Sequence, residues 1–139
     1  MQAHSRFFVN GVTRAIQGLI IFSTVLGVFF LWQVYALLPA LAFDFVAFGW
    51  VLFLIDSILT FVKPRVSYYL GLVLGLLALG ETLSQPSHYE LVASGNLTAT
   101  ATLVLGSAAQ ALLIALTAYY VLARRRQDPW AWPGANSQA

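Results

Sequence analysis

Apolar residues in this chain fall into four long blocks, Ala15–Leu38, Pro39–Val62, Pro64–Leu83 and Thr98–Ala123, separated by short polar or proline-containing breaks. A helix needs about 20 residues to cross ~30 Å of hydrocarbon, and each block meets that length. The pattern predicts an all-α integral membrane protein with four transmembrane helices in an up-down-up-down antiparallel bundle.

The breaks sort by charge. Arg6 and Arg14 precede the first block, Lys63 and Arg65 lie between the second and third, and Arg124, Arg125 and Arg126 follow the fourth. The other two breaks contain no lysine or arginine. The positive-inside rule then places both termini and the Lys63–Arg65 turn on the cytoplasmic side. An even number of spans independently requires the termini to share a side. Three parts follow: an interfacial N-terminal segment over 1–14, where Phe7, Phe8, Val9 and Val12 mix with two arginines; a membrane domain over 15–123; and a cytoplasmic tail over 124–139.

The breaks also carry turn chemistry. Pro39 suits a turn or a first helical turn, which makes the first two spans a hairpin. The longest break, Thr82–Leu97, faces outward. In it Ser87 and Glu90 have the spacing of a capping box, which predicts a short amphipathic surface helix reaching Gly95. Thr98 or Thr100 is expected to cap the fourth span. Asn96-Leu97-Thr98 matches a glycosylation sequon, though it abuts the membrane.

Composition agrees and narrows the function. Of 139 residues 60% are hydrophobic and 9% charged, too little charge to cover a soluble domain. The spans consume most of the chain, leaving one domain. The net charge of +2 comes from juxtamembrane residues, so it orients the protein and gives no reason to expect nucleic acid. With no cysteine, disulfides, Fe–S clusters and thiolate catalysis are excluded. His4 and His88 are expected on opposite sides of the membrane, so one chain cannot supply both axial ligands of a haem.

Small residues mark where membrane helices approach each other. In span three Gly71 and Gly75 share a face with Tyr68, Ala78 and Thr82. Span four has one small or polar face with Thr102, Gly106, Gln110 and Thr117, and a second with Ala108, Ala111, Ala115 and Ala118. Span one offers Gln17, Thr24 and Gly27, with Ser23 beside them. In span two Ala42, Phe45, Gly49, Leu52, Asp56, Thr60 and Lys63 fall together.

Asp56 is the most informative polar residue. It precedes Lys63 by seven positions, roughly 10 Å along a helix. A carboxylate at bilayer depth costs at least ~2.5 kcal/mol on the insertion scale, so it is paired, protonated or functional. It is read either as a structural acid bonding two helices or as a proton or partner site. Asp44, Glu81, His88 and Glu90 gather toward the outer side, as separate solvated groups or as an outer acidic cluster able to hold a cation. Gln110 is expected to bond across helices. Trp130 and Trp132, after Arg124–Arg126, suit either interfacial anchoring or docking on a partner.

No metal site, cofactor motif or catalytic set emerges. The expectation is a small non-catalytic accessory subunit of a larger, energy-converting membrane complex, packing through its small-residue helix faces, in the plasma membrane. Its partners would be membrane lipids and other membrane subunits, with a lipid or quinone held at a subunit boundary. The alternative is a homo-oligomeric proton- or cation-coupled transporter or channel that uses Asp56.

Overall fold

The structure, a computed structural model, describes residues 2–35 and 40–127. Five helices follow in chain order: α1 Gln2–Val34, α2 Ala40–Val62, α3 Pro64–Ser84, α4 Pro86–Ala93 and α5 Leu97–Gln127. Four of them are long and apolar enough to cross a membrane, over Gly11–Gln33, Phe43–Val62, Pro64–Ser84 and Leu97–Ala123. These spans mark the chain as an integral membrane protein. Pro39, Trp130 and Trp132 lie outside the described residues, as do the side chains of His4 and of Arg124–Arg126.

The connections are as tight as the sequence suggests. Lys63 alone links α2 to α3. Its amide donates to the Leu59 carbonyl at 2.7 Å, and its own carbonyl accepts from Val66 and Ser67. Pro64 takes the first position of α3, where its missing N–H costs nothing. Residues 2–14 form no separate element, because α1 runs through them without a break.

Two capping expectations are overturned. The short helix α4 begins at Pro86 with Gln85 as its cap residue and no side-chain capping bond, so Ser87 lies inside the helix and the Ser87–Glu90 capping box does not open it. Proline's preset φ starts the helix two residues earlier than a Ser87 cap would. At the start of α5 the cap is Asn96, whose Oδ1 accepts from the Ala99 amide at 3.1 Å, in place of Thr98 or Thr100. Between α4 and α5 the chain reverses at Gly95, whose φ of +74° suits glycine.

Packing forms a closed ring in which α1 touches α2, α2 touches α3, α3 touches α5 and α5 touches α1, with α4 lying against α5. Paired contacts run in opposite directions along each neighbouring pair. Gln17 reaches Thr60 while Thr24 reaches Phe53; Ser23 meets Gln110 while Gln33 meets Thr102. Tyr68 stacks edge-on against Tyr120 with centroids 5.1 Å apart, and Gly75 faces Ile114. This register brings Arg14, Lys63, Arg65 and the end of α5 to one end of the ring. Phe30 and His88, with ring centroids 6.1 Å apart, mark the other end.

The distribution of polarity is that of a protein built for lipid. Trp32, Phe45, Phe61 and Leu97 are each at least 70% exposed, while Asp56, Ser67 and Thr117 are completely buried. The apolar part of the interior is small: Ile16, Ile20, Phe53, Tyr68, Leu74 and Leu113. In water such a surface would drive aggregation. In hydrocarbon it is already solvated, and helix association rests on close packing and interhelical hydrogen bonds.

Candidate functional site

The buried polar groups form a seam along the bundle, and its levels differ in how well they are satisfied. At the middle level α1 and α2 are tied by hydroxyls. Thr24 Oγ1 lies 2.6 Å from Ser57 Oγ and is within bonding distance of the Ile20 and Phe53 carbonyls. Trp50 Nε1 donates to the Thr24 carbonyl at 2.8 Å. Gly27 makes room for that indole: a Cβ there would lie 2.6 Å from Trp50 Cδ1. Across the bundle Gln110 Nε2 donates to Ser23 Oγ at 3.0 Å. The expected interhelical amide is thus present, although Gln110 Oε1 is left without a partner.

Toward the Lys63 end the seam changes. Asp56 has none of its surface exposed, and neither carboxylate oxygen has a hydrogen-bond partner. One turn further on, Thr60 Oγ1 is likewise buried and unpartnered. The neighbours bond to main chain instead. Ser67 Oγ donates to the Asp56 carbonyl at 3.2 Å, and Gln17 Nε2 donates to the Thr60 carbonyl at 3.2 Å. The carboxylate is aimed at α3, where a Cβ on Gly71 would sit 3.1 Å from Asp56 Oδ2 and 3.3 Å from Ile20 Cδ1. Gly71 is therefore the gap that accommodates the acid. Gly75, one turn away, has the same function for Ile114 and Gln110, at 3.1 and 3.4 Å.

Several residues named from the sequence meet here and others do not. The α3 face is as expected, with Tyr68, Gly71 and Gly75 buried and Ala78 partly so. On α2, Asp56 and Thr60 point inward, but Phe45 is 70% exposed and Lys63 is exposed. The inward face of α2 is rotated toward Phe53, because α1 packs on that side through Thr24 and Ser57. Gly106 is a loose contact, 3.6 Å from Leu26 Cδ2. The second face of α5 is not covered: Ala108, Ala111 and Ala115 are exposed and Ala118 partly buried.

Asp44, Glu81, His88 and Glu90 do not assemble into one site. Among the described residues no three His, Asp or Glu side chains come together to hold a metal. His88 Nδ1 lies 3.0 Å from the Thr82 carbonyl, which ties α4 back to α3, while Asp44 and Glu90 are exposed.

Ser67, Ser57 and Trp50 are the contributors that sequence reasoning passed over. Ser67 adjoins Tyr68 on the small face of α3, and that adjacency was its only signal. Trp50 and Ser57 lie on the flank of α2 that packs against α1, and only knowledge of which helix occupies that flank distinguishes them from lipid-facing residues. Comparison with protein families, with curated proteins and with solved structures finds no match to this chain.

Proposed function

We propose that this chain is a small accessory subunit of a larger membrane complex, energy-converting in character and resident in the cell membrane. Both termini and the Lys63–Arg65 turn face the cytoplasm, and α4 lies at the outer surface. The shared end occupied by Arg14, Lys63 and Arg65 supports this orientation through the positive-inside rule. Lipids surround the subunit, with a lipid or quinone held where it meets its neighbours.

The observation that carries the reading is the uncovered alanine face of α5. Ala108, Ala111 and Ala115 are exposed although the bundle has closed without them. In hydrocarbon such a face gains nothing from burial by hydrophobicity; it gains from close van der Waals contact with another helix. Elsewhere the exterior includes many bulky residues suited to lipid chains, such as Trp32 and Phe61. Purification in mild detergent with native mass measurement tests this. Co-purification with larger, different subunits is expected, and Ala111→Leu should release the chain from them. A pure homo-oligomer overturns it.

A second reading is favoured by one observation, the unpartnered carboxylate of Asp56. In it the chain is a homo-oligomeric, proton- or cation-coupled transporter, with Asp56 as the coupling acid. Reconstituted into liposomes, it should then conduct protons or cations, and Asp56→Asn should abolish the flux. Unchanged flux in that variant removes this reading.

A further inference from the structure

The interior of the bundle contains a group of buried side-chain oxygens that make no hydrogen bond. We propose that Asp56, with Thr60 beside it, forms an intramembrane binding site for one unit of positive charge, an alkali-metal cation or a proton. The site deepens the second reading above by naming its ligand, yet binding is a separate property from transport and is tested separately.

The argument begins with the inventory of partners. Asp56 Oδ1 and Oδ2 and Thr60 Oγ1 are all buried without a hydrogen bond. Asp56 and Thr60 are four residues apart on α2, so they lie one above the other on a single helix face. Buried polar groups in native proteins are satisfied, and a buried charge is paired or coordinates an ion. Three orphaned oxygens on one face therefore describe a ligand-shaped gap in the hydrogen-bond accounting.

No side chain on the facing elements fills it. From α1 come Ile20, against Gly71, and Gln17, whose amide is used on the Thr60 carbonyl. From α3 come Gly71, which has no side chain, and Ser67, whose hydroxyl donates to the Asp56 carbonyl. The tyrosines Tyr68 on α3 and Tyr120 on α5 pack their rings against each other. Arg14, Lys63 and Arg65 are exposed, so among the described side chains no cation is buried beside the acid.

The chemistry of the donors selects the ligand. A carboxylate and a hydroxyl are hard oxygen donors, with no imidazole or thiolate among them, which disfavours zinc or copper. One carboxylate carries one negative charge. A divalent ion would leave a net positive charge in hydrocarbon, whereas an alkali cation or a proton leaves the site neutral. Gly71 lies directly against the carboxylate: a Cβ there would lie 3.1 Å from Asp56 Oδ2 and 3.3 Å from Ile20 Cδ1.

Thermal unfolding of the purified full-length protein in detergent tests this, with sodium, lithium or potassium chloride exchanged for choline chloride at constant ionic strength, at mildly acidic and at alkaline pH. For an alkali cation, its addition at alkaline pH raises the wild-type Tm by several degrees in a saturable manner. Asp56→Asn removes that response, and Thr60→Val raises the half-saturating concentration about tenfold, equivalent to ~1.4 kcal/mol. For a proton, the alkali ions have no effect, alkaline pH lowers the Tm of the wild type but not of Asp56→Asn, and a carboxyl C=O band that disappears in the variant accompanies the pH step in infrared difference spectra. Either pattern supports the site and identifies its occupant. Equal responses of wild type and Asp56→Asn to both ions and pH overturn it. Should Asp56→Asn fail to fold, Thr60→Val and Gly71→Ala decide: wild-type ion and pH responses in both overturn the proposal, and weakened responses support it. Because Tm reports binding alone, a chain that binds but does not conduct keeps the site and loses only the transport reading.

Discussion

Two levels of the same polar seam behave in opposite ways. Around Thr24 every hydroxyl has a partner: Ser57, two main-chain carbonyls and the Trp50 indole close the set. Around Asp56 the side-chain oxygens have none, although Asp56 and Thr60 are more deeply buried than Thr24 and its partners. A satisfied network in hydrocarbon is a fastener between helices. An unsatisfied one has a desolvation cost that no hydrogen bond offsets. The contrast is therefore one of hydrogen-bond satisfaction, and Gln110 Oε1 is the exception within the otherwise paired middle level.

Four substitutions break or sharpen this contrast. The largest effect is expected at Gly71. Gly71→Val forces a branched side chain toward Asp56 Oδ2 and Ile20, and overpacking of this kind costs about 1–3 kcal/mol. Equilibrium unfolding in mixed detergent micelles should register it, and stability within error of wild type would mean that the gap beside the acid is wider than 3.1 Å implies. Next comes Gly27→Ala, on the satisfied level. Its Cβ meets Trp50 Cδ1 at 2.6 Å, so the indole must move and its bond to Thr24 is lost, at about 1 kcal/mol. Tryptophan fluorescence should shift in step with stability.

Thr24→Val is smaller. It removes one hydroxyl that lies within bonding distance of Ser57 Oγ and two carbonyls, and interhelical bonds in membranes average ~0.6 kcal/mol with a maximum near ~1.7. The loss should be identical in sodium and choline salts; an ion-dependent loss would erase the distinction between the two levels. Smallest of all is Ala111→Leu, expected to change bundle stability by no more than ~0.5 kcal/mol because the position is exposed. Its effect should appear instead in assembly, measured as loss of partner subunits on native gels.

Much of the fold was legible because lipid imposes few and strong rules. Block length predicted four spans, and the one-sided cations agree with the end of the ring where Arg14, Lys63 and Arg65 lie. The glycine face of α3 was readable for the same reason, since small residues at spacings of three and four have no other common use in hydrocarbon. Helix starts were less legible. Ser87 and Thr98 had acceptable cap chemistry, but Pro86 and Asn96 took those positions, because local capping signals compete within a turn and differ by only about 1 kcal/mol.

The sequence by itself determined that the chain must span a membrane and that Asp56 would be an acid without an adjacent base. Both follow from hydropathy, helix periodicity and the positions of seven basic residues. Only the tertiary structure decided which helices adjoin, that α1 packs on the Phe53 flank of α2 and turns Phe45 outward, and that α3 sets Gly71 and Ser67 against Asp56. Those facts depend on pairing residues distant in the chain. Periodicity says which residues share a face; it carries no information on which neighbour that face will meet.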